Sequence, residues 1–153
     1  MGFQITIKDN ELKTELTKLQ AKTKNLKPLL NQVGYYLLEV VENSFENEAD
    51  ANGKAWQELS PNYLNYKNKK GYTKKLQNRG TLAESIDFTA TTDALILGTN
   101  IEYAPIQQFG GFAGRNKSAF IPARPFLPVT QDGKLHNNVV ENILKRLKIY
   151  LAK

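Results

Sequence analysis

Apolar side chains recur at helical spacing over residues 26–45, and this stretch gives the strongest secondary-structure prediction in the chain. Leu30, Val33 and Leu37 stand three and four residues apart, so they share one face of a helix. Pro28 lies in the first turn, where its missing N–H costs little. The pattern predicts a long helix over residues 26–49, ended by the turn residues that precede Gly53.

Shorter patterns predict elements on both sides of this helix. Apolar and polar residues alternate over residues 3–7, which is typical of a half-buried strand, and a short helix is expected from Asp9 or Asn10 onward. Alternation also covers residues 85–98, with a turn in the middle, and predicts a β-hairpin. Apolar residues at helical spacing from residue 139 onward predict a C-terminal helix.

Two long segments show weak periodicity. Residues 54–80 are rich in lysine, asparagine and tyrosine, and we expect a long basic loop, with a short helix starting at Ser60 and Pro61. Residues 100–129 contain four of the six prolines and three glycines, and we expect a Gly/Pro-rich loop there, interrupted by two helical turns over residues 103–109.

These elements predict an α+β fold. The antiparallel sheet is expected to combine the N-terminal strand with the 85–98 hairpin and to pack against the long helix and the C-terminal helix. A length of 153 residues is that of one ordinary domain, so residues 1–153 are expected to form a single domain.

Composition excludes several classes of function. The chain has no cysteine, and therefore no disulfide framework or thiolate site. Its N-terminus has no secretory signal pattern, and its most apolar stretch, residues 35–41, is too short to cross a bilayer. We expect a protein without a membrane partner.

The positive charge is concentrated in one segment. Residues 54–81 carry seven basic residues and one acidic residue, whereas the remainder carries 14 of each, so this segment holds the whole net charge of +6. Three roles fit such a segment, namely a solvated surface, docking of an acidic protein, or binding of single-stranded nucleic acid by lysines and by the interleaved Tyr63, Tyr66 and Tyr72. The predicted basic patch comprises Lys67, Lys69, Lys70, Lys74, Lys75 and Arg79.

Catalytic constellations are missing from the sequence. His136 is the only histidine, and its position beside a helix start favours a solvated or capping role. Carboxylates such as Glu39 and Glu42 stand at the spacing of a wet helix face. The glycines of residues 109–118 lack the Gly-Lys-Ser/Thr ending of a phosphate-binding loop, because Lys117 is preceded by Asn116. We therefore predict no enzyme, no cofactor and no metal.

The same Gly-rich stretch has a second interpretation. It carries Phe109, Phe112 and Arg115 on glycine-rich backbone, and apolar rings in a flexible loop favour burial against a partner. We expect this loop to become ordered in contact with another protein.

An ordered set of motifs resembles the phage virion morphogenesis family. It runs from Trp56 and Leu59-Ser60-Pro61, through Leu97-Gly98-Thr99 and Tyr103-Ala104, to Gln108-Phe109-Gly110-Gly111 and Pro122-Ala123-Arg124-Pro125-Phe126. The resemblance covers about residues 54–129. It implies a non-enzymatic virion component that acts in tail completion and head-tail joining.

The resemblance also implies partners and a location. The expected partners are other phage tail or connector proteins and further copies of the chain, arranged as a homo-oligomeric ring, with nucleic acid as a secondary partner. The expected location is the virion, and the host cytoplasm during assembly.

Within the matched motifs, two roles remain open for Arg124 and Phe126. They could anchor an interface, or Arg124 could pair internally while Phe126 fills the core. Phe112 and Phe120 bracket the Gly-rich loop and look more available to a neighbouring subunit. The predicted interface residues are Phe109, Gly110, Gly111, Phe112, Arg115, Phe120, Arg124 and Phe126.

Overall fold

The computed structural model describes residues 3–4, 10–22 and 24–152. The strands and helices within these ranges are, in chain order, β1 (Phe3–Gln4), α1 (Asn10–Lys22), α2 (Lys27–Asn47), α3 (Pro61–Lys69), α4 (Thr81–Ser85), β2 (Asp87–Ala90), β3 (Leu95–Thr99), α5 (Ala104–Phe109), β4 (Gly111–Ala113), β5 (Ala119–Ile121) and α6 (Asn137–Ala152).

The larger sheet has three antiparallel strands in the order β1-β3-β2. Strands β2 and β3 form the predicted hairpin, with Phe88 opposite Leu97. The predicted N-terminal strand is confirmed at Phe3–Gln4, where Phe3 pairs with Thr99. The remaining part of that prediction, with Ile5 and Ile7, lies outside the described residues.

Helix α2 packs directly on this sheet. Gly34 faces the ring of Phe88, and a Cβ atom at position 34 would lie only 2.4 Å from that ring. A glycine is therefore needed for the helix to approach the strand this closely. The edge of Phe88 also meets Tyr35, with ring centroids 5.1 Å apart.

Two apolar clusters share α2. The first joins α1, α2 and α6 with one face of the sheet, and it contains Leu19, Leu29 and Leu147. The second surrounds the C-terminal half of α2, where Phe45 contacts Trp56 and Phe126. The α+β prediction is confirmed, with α2 contacting both the sheet and α6.

The two segments expected to be loops contain regular structure. Helix α3 begins where Ser60 and Pro61 predicted, and Ser60 Oγ accepts a hydrogen bond from the backbone N–H of Tyr63 at 3.4 Å. In the second segment, α5 confirms the predicted helical turns, and β4 pairs with β5. The β4–β5 pair was not predicted, because strands of three residues leave little periodic signal in a sequence.

Candidate protein interaction site

Two exposed phenylalanines stand side by side on the β4–β5 hairpin. Phe112 and Phe120 are cross-strand partners, their ring centroids are 5.4 Å apart, and they are 65% and 62% exposed. Arg115 and Lys117 lie at the exposed tip of the same hairpin. An apolar pair of this size that remains in water, with cations beside it, is typical of a surface that docks a partner.

The hairpin is folded in the isolated chain, which corrects the prediction of a loop that orders only against a partner. Its base begins at Gly110, whose N–H donates to the carbonyl of Ile106 at 2.8 Å. Gly110 has a φ of +73°, and a Cβ there would lie 2.8 Å from the backbone nitrogen of Ala123 and from the carbonyl oxygen of Ile121. Glycine is therefore required at the start of the hairpin.

Arg124 and Phe126 lie below the hairpin in the interior. Arg124 is 6% exposed, and its guanidinium donates to the carbonyls of Gln57 at 2.8 Å and Glu58 at 3.0 Å. Phe126 is fully buried against Phe45. Neither side chain is exposed enough to anchor an interface. The alternative that Phe126 fills the core is therefore correct. For Arg124 the internal hydrogen-bond partners are the backbone carbonyls of Gln57 and Glu58.

Two buried polar side chains fix the irregular segment that follows the hairpin. Gln108 Oε1 accepts hydrogen bonds from the backbone N–H groups of Phe126 at 3.0 Å and Leu127 at 2.8 Å. The indole N–H of Trp56 donates to the carbonyl of Pro125 at 2.7 Å. Sequence reasoning singled out neither role, although both residues belong to the motifs that carry the family resemblance.

Two other predicted interface residues lie deeper than the two rings. Phe109 and Gly111 are half-buried, and the Phe109 carbonyl accepts a hydrogen bond from Gln131. Tyr103, which directly precedes α5 and was not among the predicted interface residues, is 49% exposed. The structure therefore brings Phe112, Phe120 and Arg115 to one surface. Gly110 lies at the base of the hairpin, and Arg124 and Phe126 are buried beneath it.

The predicted basic patch is divided between the interior and the surface. Lys67 is 1% exposed, and its ammonium donates to the carbonyl of Lys74; Lys75 is also buried and is ion-paired with Glu58 at 2.9 Å and Glu48 at 3.3 Å. These two lysines stabilise the segment and are not available to a partner. The members left exposed are Lys69, Lys70, Lys74 and Arg79.

Burial changes the pKa of several of these cations. For Lys67, burial lowers the pKa, nearby Arg124 lowers it further, and Glu48 opposes both effects. Burial also lowers the pKa of Arg124. For Lys75, the lowering by burial is outweighed by hydrogen bonds to Glu58 and Glu48, so its pKa is raised.

A groove of about 980 Å³ lies between α3 and the hairpin. Its walls include the rings of Tyr63, Tyr66 and Phe120, and its charged lining includes Lys67 and Arg124. Tyr63 and Tyr66 are stacked, with centroids 6.0 Å apart, and both are exposed. The groove thus combines ring surface with positive charge.

Candidates for catalysis find little support in the described ranges. His136, expected to be solvated or capping, is only 7% exposed; its carbonyl accepts the N–H groups of Val139 and Val140 at the start of α6, so the capping role falls to its backbone. Within residues 3–4, 10–22 and 24–152, no group of three or more histidine, aspartate or glutamate side chains could hold a metal ion. No helix in this part of the chain has both the length and the apolar composition to span a bilayer.

The chain is similar to proteins of Mu-like phages and prophages. It is 34% identical over 121 residues to Mu-like prophage FluMu G protein 2 of Haemophilus influenzae, which covers 78% of each chain. It is 30% identical over 132 residues to FluMu G protein 1 of the same organism, covering 80% of this chain and 86% of that one. It is 31% identical over 119 residues to protein G of Escherichia phage Mu, covering 75% of each, and a role in capsid assembly is ascribed to that protein.

No solved structure gives a significant match. The sequence model of the phage virion morphogenesis family matches residues 7–148, which include every element from α1 to the larger part of α6. This match covers the rigid core, the hairpin and the groove together. The chain therefore belongs to the phage virion morphogenesis family.

Proposed function

We propose that this protein completes the tail and joins it to the head, and that it acts through protein contacts as a homo-oligomeric ring without catalysing a reaction. Membership of the family supports a structural role in virion assembly. The observation that carries the finer proposal is the pair Phe112 and Phe120, two large rings held in water by a folded hairpin. Because the hairpin is ordered before it meets a partner, docking would not require a large loss of backbone entropy.

The exposed rings supply the apolar centre of such an interface, and the cations at the hairpin tip would form its polar rim. A patch of this kind can bind a different patch on the next copy, and repetition of that contact closes a ring when the rotation permits. The buried bonds of Gln108, Trp56 and Arg124 tie the segments on either side of the hairpin to the core. Such an attachment supports a role in which every copy presents the hairpin in the same way.

The test is complementation of a deletion in the phage or prophage that encodes the protein. The wild-type gene and an Ile149→Ser control should restore joined, infectious particles, since Ile149 is 61% exposed on α6, away from the hairpin. The double variant Phe112→Ser with Phe120→Ser should leave heads and tails separate in electron micrographs. Light scattering should report a mass above the 17.3 kDa chain for the wild type and a smaller assembly for the double variant.

Two results would contradict the proposal. A deletion strain that still releases joined, infectious particles would remove the role in tail completion. A double variant that keeps the wild-type mass and restores particles would show that the rings are not the contact. Circular dichroism of both variants controls for folding.

A further inference from the structure

Two buried cations lie together under the groove without a carboxylate of their own. Lys67 and Arg124 both line it; their hydrogen bonds go to backbone carbonyls, while Glu48 attracts Lys67 and Glu58 attracts Arg124 without an ion-pair contact. Neither takes part in an ion pair with another described residue, and Glu58 is the only carboxylate among the described residues that line the groove. Since Oε1 of Glu58 is bound to Lys75 at 2.9 Å, the groove keeps an excess of positive charge.

The exposed surface of the groove adds a cation and rings. Arg79 lines it from the solvent side, and so does Tyr72. Tyr63, Tyr66 and Phe120 provide flat apolar faces. A ligand that fits must therefore combine negative charge with apolar side chains.

An extended peptide meets these requirements better than a nucleic acid. Two of the six lysines and arginines of the basic patch are buried, and Lys74 donates to the carbonyl of Glu46, so few cations remain to contact a run of phosphates. Tyr63 and Tyr66 stack on each other, which covers one face of each ring and leaves no gap between them for a base. One or two carboxylates would be enough to offset the excess charge of the groove.

We propose that the groove between α3 and the β4–β5 hairpin binds an acidic, extended segment of a neighbouring virion protein. Carboxylates of that segment pair with Arg79 and lie in the field of Lys67 and Arg124, while its apolar side chains pack on Tyr63, Tyr66 and Phe120. Phe120 belongs to both the groove and the exposed hairpin pair, so the bound segment continues the hairpin surface. The identity of the partner as a virion protein rests on the proposed function.

The test begins with selection of peptides of about twelve residues from a random library on the immobilised full-length protein. The selected peptides are expected to be rich in aspartate and glutamate and to contain apolar residues. Anisotropy measurements then compare the wild type with Arg79→Glu and Tyr66→Ala, and with Lys145→Glu as a control on the exposed face of α6. Affinity should fall about tenfold or more in Arg79→Glu, fall in Tyr66→Ala, remain unchanged in the control, and weaken with salt.

Several outcomes would overturn the inference. The selection could yield no peptide, or its peptides could lack an excess of aspartate and glutamate. Arg79→Glu could bind the selected peptides as tightly as the wild type does. Single-stranded oligothymidylate could bind more tightly than any peptide. The last result would indicate a nucleic-acid groove. If the protein binds no acidic peptide but the complementation results are as expected, this inference is wrong and the proposed function stands. If the protein binds acidic peptides but its deletion leaves heads and tails joined, the proposed function is wrong and the groove still binds acidic peptides.

Discussion

The indole N–H of Trp56 and the carbonyl of Pro125, 69 positions apart in the chain, form a hydrogen bond of 2.7 Å. It ties the segment after α2 to the segment after the hairpin, beside the apolar contact of Trp56 with Phe45. Trp56 is 3% exposed, so its N–H has no access to bulk water. This bond joins the two irregular segments that together carry the proposed surface.

Trp56→Phe should lower the free energy of unfolding by about 2–4 kcal/mol, because it leaves the Pro125 carbonyl without its donor and opens a cavity beside Phe45. Urea denaturation provides the measurement. Tyr66→Phe, at an exposed ring, is the control and should change stability by less than about 0.5 kcal/mol. Equal stability of the wild type and Trp56→Phe would mean that the hydrogen bond does not hold the two segments together.

Gln108→Leu should cost about 2–4 kcal/mol of unfolding free energy, since the backbone N–H groups of Phe126 and Leu127 would both lose their acceptor in the interior. Amide hydrogen exchange at these two positions should accelerate. Gln131→Leu is the matched control, because Gln131 is exposed and donates one bond to Phe109. If Gln108→Leu and Gln131→Leu lower the unfolding free energy by the same amount, the burial of Gln108 is not the cause of the loss.

Gly110→Ala and Gly53→Ala compare two glycines with positive φ, of which Gly110 combines steric overlap with a backbone conformation (φ +73°, ψ −179°) that is almost confined to glycine. Both glycines have positive φ, +73° and +85°, but only Gly110 has backbone atoms within 3 Å of a new Cβ, whereas nothing lies within 4 Å of Gly53. Gly53→Ala should cost about 1–2 kcal/mol from the left-handed conformation alone, and Gly110→Ala should cost at least about 1 kcal/mol more. Thermal denaturation compares them, and similar losses would refute the steric argument.

Lys67→Met should remove a dependence of stability on pH. Burial lowers the pKa of Lys67 in the folded protein below its usual value of 10.5. At a pH below that lowered pKa, Lys67 is protonated in both the folded and the unfolded chain, and the folded chain carries the full cost of burying the ammonium. As the pH rises through the lowered pKa toward 10.5, the folded state releases its proton first and stability increases.

The unfolding free energy of the wild type minus that of Lys67→Met should therefore increase as the pH approaches 10.5 from below. Lys69→Met, on the exposed side of the same helix, should show no such trend. A difference that stays constant with pH would show that the ammonium of Lys67 is not the titrating group. Guanidinium denaturation at several pH values supplies the data.

Helices and strands with one buried face could be predicted from the sequence, because the spacing of their apolar residues shows which face is buried. The face of α2 that carries Leu30 and Leu37, the β2–β3 hairpin and α6 were all identified in this way. The exposure of Phe112 and Phe120 was expected because they bracket the Gly-rich loop, and the order of the motifs identified the family. Each of these inferences uses residues that are near one another in the chain.

The environment of Arg124, Lys67 and Gln108 was decided by the tertiary structure. Arg124 meets Gln57 and Glu58, more than 60 positions earlier in the chain, and Gln108 meets Phe126 and Leu127, 18 and 19 positions later. A lysine-rich stretch gives no local sign that Lys67 is buried while Lys69 on the same helix is exposed. Amino-acid order encodes which side chains prefer water on average, but the partner that satisfies a buried charge or amide comes from a distant segment, and only the folded chain brings the two together.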